Sequence, residues 1–114
     1  MSKQGEGYDD CCALAATSAL SAEQAEAAAR TFKALGDPVR LRLYSMIASA
    51  AGEICVCDLT GAFELTAPTI SHHLKVLREA DLIEGERRGT WVYYRPVAEA
   101  TDAVAQLLDG RVRA

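Results

Sequence analysis

The chain has 114 residues, 50% of them apolar and 25% charged, which suits one small globular domain with a modest core and makes an oligomer that buries more surface a reasonable expectation. Its formal net charge of −4 argues against a general nucleic-acid coat protein, since phosphate attraction supplies most non-specific affinity, but leaves room for a specific DNA binder with local basic positions. No apolar run approaches membrane-spanning length, and "MSKQGEGYDD" is acidic where a secretory leader is basic and then apolar, so a cytoplasmic protein with no membrane partner is expected.

Residues 1–20 read as a mobile N-terminal arm that carries the adjacent pair Cys11 and Cys12, residues 21–110 as one domain, and 111–114 as a tail. From Ser21 a helix is well signalled: "SAEQ" is a capping box, Ala25, Ala28, Ala29, Phe32 and Leu35 make a stripe, and Gly36 supplies the stop. Asp37 then caps a second helix with Pro38 at its first position, whose apolar face is Val39, Leu41, Leu43 and Ile47. After Gly52 comes "ICVCDLT", with Asp58 as the expected N-cap of a short third helix ending near Glu64. Thr66 caps a fourth helix to about Ala80, with Pro68 in its first turn; Ile70, His73, Leu74 and Leu77 share one face, while Ser71, His72, Lys75 and Glu79 lie opposite. Next, "LIEGERRGTWVYYRP" predicts a hairpin with arms at 82–87 and 90–95 joined at Arg88 and Gly89, and a last helix runs from about Val97 to Leu108.

This order is mainly α with a β-hairpin wing, the plan of a winged helix-turn-helix. In that plan the second helix of the motif lies in the major groove and presents its N-terminal residues to base edges. Thr69, Ser71 and His72 are short or planar polar groups suited to base contacts, Lys75 sits one turn on to meet phosphate, and Arg87, Arg88 and Thr90 of the wing would touch the backbone of double-stranded operator DNA. The bland alternative is an amphipathic helix with a solvated face. His72 and His73 diverge by about 100° on a helix, so they do not share an ion; His72 is assigned to DNA and His73 to packing beside Ile70 and Leu77.

Cys55 and Cys57 ask for their own account. Residues two apart diverge on a regular helix but share a face in an extended segment, so the pair can chelate only where the chain is extended or just entering a helix. A helix N-terminus there favours the thiolate, the form that binds metals. Thiolates are soft, and with Cys11 and Cys12 two chemistries are open: three-coordinate trivalent arsenic or antimony, or four-coordinate cadmium, lead or zinc. The bland reading makes Cys55 and Cys57 small core residues.

The segments "FKALGDPVRLRLYSMI", "ICVCDL", "TISHHLKVLREADLI" and "RRGTWVYYR", in that order over roughly residues 30–95, closely resemble the ArsR/SmtB family of metal-responsive bacterial repressors. The resemblance implies a homodimer joined by its first and last helices, with two recognition helices reading a two-fold operator. It also makes "CVCDL" similar to the inducer site near the third helix in the arsenic- and cadmium-sensing branches. The arsenic-sensing pattern often has a further cysteine where this chain has Thr60, so a third thiolate must come from Cys11 or Cys12. Vicinal arm cysteines resemble an arsenic-sensing variant, whereas cadmium and lead sensors space theirs farther apart. Adjacent side chains also do not readily fill two corners of a tetrahedron, so trivalent arsenic or antimony is the favoured inducer, with cadmium or lead as the alternative. The family's other site uses histidine on the last helix, absent here, which disfavours zinc or nickel. A thiol-redox-switched repressor is a rival of another class. An enzyme is not expected, since no nucleophile with a base, no phosphate loop and no C-x-x-C motif is visible.

Overall fold

The computed structural model describes residues 19–109. Helix α1 (Ala22–Leu35) opens on the expected capping box: Ser21 Oγ accepts from the Gln24 N–H at 3.1 Å, and Gln24 Oε1 accepts from the Ser21 N–H at 2.9 Å. Helix α2 (Pro38–Ser49) follows after one turn, its N-cap Asp37 accepting from the N–H groups of Val39 and Arg40. Those bonds, that of Arg40 foremost, hold the Asp37 carboxyl below its usual value. Arg40 in turn donates from Nε to the Ala34 carbonyl at 2.6 Å, satisfying the C-terminal end of α1 and fixing the α1–α2 angle.

Strand β1 (Ile54–Cys55) leads directly into α3 (Val56–Gly61), and α4 (Ala67–Glu79) completes the helix-turn-helix. Thr66 caps α4 by accepting from the Thr69 N–H, as the sequence predicts. Helix α4 ends on Asp81 at φ 60°, where the Leu82 N–H reaches the Leu77 carbonyl at 3.1 Å and the Asp81 N–H reaches Arg78 at 3.0 Å. This paired closure usually employs glycine, and it turns the chain sharply into the wing.

The wing is β2 (Ile83–Arg88) and β3 (Trp91–Pro96), and α5 (Ala98–Leu108) returns to pack on α1. The turn is Gly89-Thr90, one residue later than predicted, with Arg88 and Trp91 paired and only Gly89 at positive φ (65°), the pattern of a type II′ turn. Gly85 is fixed by close approach: a Cβ there would meet Tyr94 Cε1 at 2.8 Å. The sequence reading missed a third strand. β1 pairs antiparallel with β3, Ile54 opposite Tyr94 and Cys55 opposite Tyr93, giving a sheet of order β1-β3-β2. A two-residue strand is too short to show a period of its own.

Leu43, Ile47, Leu59, Ile70, Leu74, Leu77, Leu82 and Ile83 are fully buried and join α2, α3, α4 and the wing into one core. Several expectations need correction. Leu41 is 50% exposed, because it lies two residues from both Val39 and Leu43 and so points away from the face that recurs every four. Along α1 the side turned to the core is Thr31 and Ala34, while Ala25, Ala29 and Phe32 are exposed, since a stripe marks a face to be covered without saying by what. Helix α3 starts earlier and ends earlier than expected, with Cys55 rather than Asp58 at its N-cap and Gly61 as its last residue. The last helix starts at Ala98, with Val97 as an N-cap that makes no side-chain bond.

Candidate functional site

Cys55 is the last extended residue (φ −74°, ψ 143°) and Cys57 the second residue of α3. This is the junction at which residues two apart converge, and the structure brings their sulfurs into close approach across a Cα separation of 5.2 Å. The sulfur of Cys55 also accepts from the Cys57 N–H at 3.3 Å, taking the role of the capping oxygen. Cys55 is buried against the sheet but lies outside the main core cluster, and Cys57 is exposed. Of the two, Cys57 is therefore the one that opens to the surface.

Two sulfurs are what this part of the chain supplies. Among the described residues no group of three or more His, Cys, Asp and Glu side chains is arranged to hold a metal ion, and Cys11 and Cys12 lie outside them. Thr60 spends its hydroxyl on the Cys57 carbonyl at 3.1 Å. The donor set fits a thiophilic ion only with a further thiolate brought from elsewhere.

On α4, Ser71, His72 and Lys75 are exposed on the face opposite the buried Ile70, Leu74 and Leu77. Thr69 shares that exposure, but its hydroxyl lies 2.8 Å from that of Thr66, at the helix cap. His73 is not core: it is half-exposed, with Nδ1 3.5 Å from Arg40 Nη1.

The wing differs. Arg87 and Thr90 are exposed. Arg88 is engaged on three sides: both of its terminal nitrogens bond Glu53, the Nη2 contact at 2.8 Å; Nη2 also bonds Glu86 at 2.9 Å; and its guanidinium lies 4.6 Å from the centre of the Tyr93 ring. Arg95 bonds Glu84 at 2.9 Å and Glu86 at 3.5 Å. Glu53 and then Glu86 stabilise the Arg88 cation, and Arg88 foremost holds the Glu86 carboxyl below its ordinary value. From sequence, Glu86 is one of several carboxylates that balance the basic residues of 66–95, with no partner assigned, and Glu53 and Tyr93 carry no role. Glu53 stands two residues before Cys55, the spacing that shares a face in an extended segment, so the signal existed once β1 was recognised.

Residues 37–84 match the family described as "Bacterial regulatory protein, arsR family". The chain is 48% identical to the arsenic resistance transcriptional regulator ArsR1 of Pseudomonas putida over 83 residues, 73% of this chain but 64% of that protein, just under two thirds of its length. It is 38% identical to an uncharacterized HTH-type transcriptional regulator of Methanocaldococcus jannaschii over 76% of this chain and 97% of that one. Among solved structures it is similar to the transcriptional repressor BigR from Xylella fastidiosa, with 31% identity, a TM-score of 0.59, and coverage of 75% of this chain and 88% of the other.

Proposed function

The chain belongs to the arsR family of bacterial regulatory proteins, and from that premise we propose that it is a repressor that binds operator DNA as a homodimer and lets go when trivalent arsenic or antimony is held by its cysteines. Its relatives regulate transcription and are not enzymes. No helix among the described residues is long and apolar enough to cross a membrane.

The observation that carries the reading is the convergence of the Cys55 and Cys57 sulfurs at the β1–α3 junction with Cys57 exposed. As thiolates, Cys55 and Cys57 would hold the ion together with Cys11 or Cys12 of the arm, residues 1–20, of the same subunit or its partner. When bound, the ion ties soft sulfur donors from distant parts of the chain to one centre. The junction is well placed to transmit that constraint. Cys55 is paired with Tyr93 of the wing, and α3 packs on both α4 and β3. A shift at residues 55–57 thus reaches the two elements assigned to DNA.

Ser71 and His72 would read base edges from the start of α4, with Thr69 beside them at the cap, while Lys75 and the wing residues Arg87, Arg88 and Thr90 meet the backbone. A dimer sets two such helices at successive major grooves, about 34 Å apart. Support for the dimer comes from the exposed Ala25, Ala29 and Phe32 and from a groove of about 740 Å³ between α1 and α5 lined by Ala27, Ala28, Ala103 and Leu107. Operator and inducer are linked equilibria, so DNA weakens ion binding by the factor by which the ion weakens DNA binding.

The sulfur pairing also favours a second reading, a thiol-redox repressor in which peroxide takes the two thiols to a disulfide and is itself reduced to water. Anisotropy of labelled operator, titrated with arsenite, antimonite, cadmium, lead, zinc and peroxide against reduced protein, separates the readings. Release by arsenite and antimonite at the lowest concentrations is the expected result; release by cadmium or lead first, or by peroxide alone, would replace it.

A further inference from the structure

The outer face of the sheet ties the cysteine junction to the wing by a route that the assignment of Arg88 to phosphate does not use. In the β2–β3 register, Arg88 faces Trp91, Glu86 faces Tyr93 and Glu84 faces Arg95, so these six side chains share one face. Cys55 is opposite Tyr93 and joins that face from β1, with Glu53 reaching it from just before the strand. Three carboxylates (Glu53, Glu84, Glu86) and two guanidiniums (Arg88, Arg95) form one ion-pair network there. Such a face does not attract a phosphate backbone. Its most useful cation is also committed: a carboxylate occupies both terminal nitrogens of Arg88, the fork geometry with which arginine would grip a phosphate.

We propose that Glu53 is a positioning residue that latches Arg88, so that Arg88 reaches operator phosphate only after leaving Glu53. This rests on the reading of the chain as an operator-binding repressor. The Arg88 side chain is 44% exposed, so it can swing off without disturbing the core. Glu53 lies two residues from Cys55, and a rearrangement of the junction therefore bears directly on the latch.

The competition can be measured without inducer. Operator affinity of the full chain is followed by anisotropy across a salt series for wild type, Glu53→Gln, Glu53→Asp, Arg88→Gln and the Glu53→Gln/Arg88→Gln double variant, with circular dichroism confirming the fold of each. Glu53→Gln should tighten binding by roughly 3- to 10-fold at low salt and steepen the slope of log affinity on log salt by about 0.9, one added phosphate contact. Glu53→Asp should return toward wild type, and the gain should vanish in the double variant. A Glu53→Gln variant that binds equally or more weakly, with an unmoved slope, overturns the latch while leaving the repressor reading in place. If wild type and every variant fail to bind operator, the repressor reading falls and the latch with it.

Discussion

The two regions assigned to DNA are built on opposite principles. Helix α4 turns a buried apolar face inward and leaves the side chains of Ser71 and Lys75 with no hydrogen bond or ion pair to the described residues, whereas the wing spends Arg88 and Arg95 on nearby carboxylates, Glu53 beside β1 and Glu84 and Glu86 of β2. The difference shows that a count of basic residues is not a measure of the field that DNA meets. Lys75 contributes its full charge to an approaching phosphate, and Arg88 contributes little until its partners let go.

A cut beneath both regions should have the largest effect. Leu77→Ala removes a fully buried side chain of α4 from the core it shares with Leu82, Ile83 and Tyr94, and should cost about 2–5 kcal/mol in denaturant unfolding while weakening operator binding through both elements. Gly85→Ala breaks the wing alone, since its Cβ would strike the Tyr94 ring; a loss of about 1–3 kcal/mol is expected in the same measurement. The comparison sharpens with single charges. Lys75→Ala should weaken binding to all sequences and lower the salt slope by about 1, whereas Arg95→Ala, which removes an internally satisfied cation, should leave that slope nearly unchanged. The smallest change is Asp81→Gly, which relieves a left-handed residue at the joint between the two regions and should stabilise by about 0.5 kcal/mol in a thermal melt.

Much of this architecture was readable from local chemistry. The capping box at Ser21, Asp37 before Pro38 and Thr66 before the fourth helix each have a mechanism confined to a few residues, and each stands as expected, while the hairpin forms with its turn one residue later. What escaped depends on partners distant in sequence. The pairing of β1 with β3 joins residues about forty positions apart, and the Glu53–Arg88 contact exists only because of it. The Cys55 cap was missed for another reason: sulfur is a weak acceptor, and Asp58 three residues on looked the better candidate. For the candidate site, the pattern "CVCD" was enough to bring two sulfurs together in expectation. Cys11 and Cys12, on which the third donor depends, lie outside the described residues.

In the proposed mechanism, inducer acts through the junction of β1 and α3. This is tested most directly with Cys57→Ser, which alters one exposed sulfur and no core contact. Arsenite is titrated into the operator-bound variant and into operator-bound wild type under reducing conditions. Operator affinity is expected within about twofold of wild type, a change of only ~0.4 kcal/mol, with no release at arsenite concentrations that free wild type completely. Release of the variant at the same concentrations as wild type would contradict it.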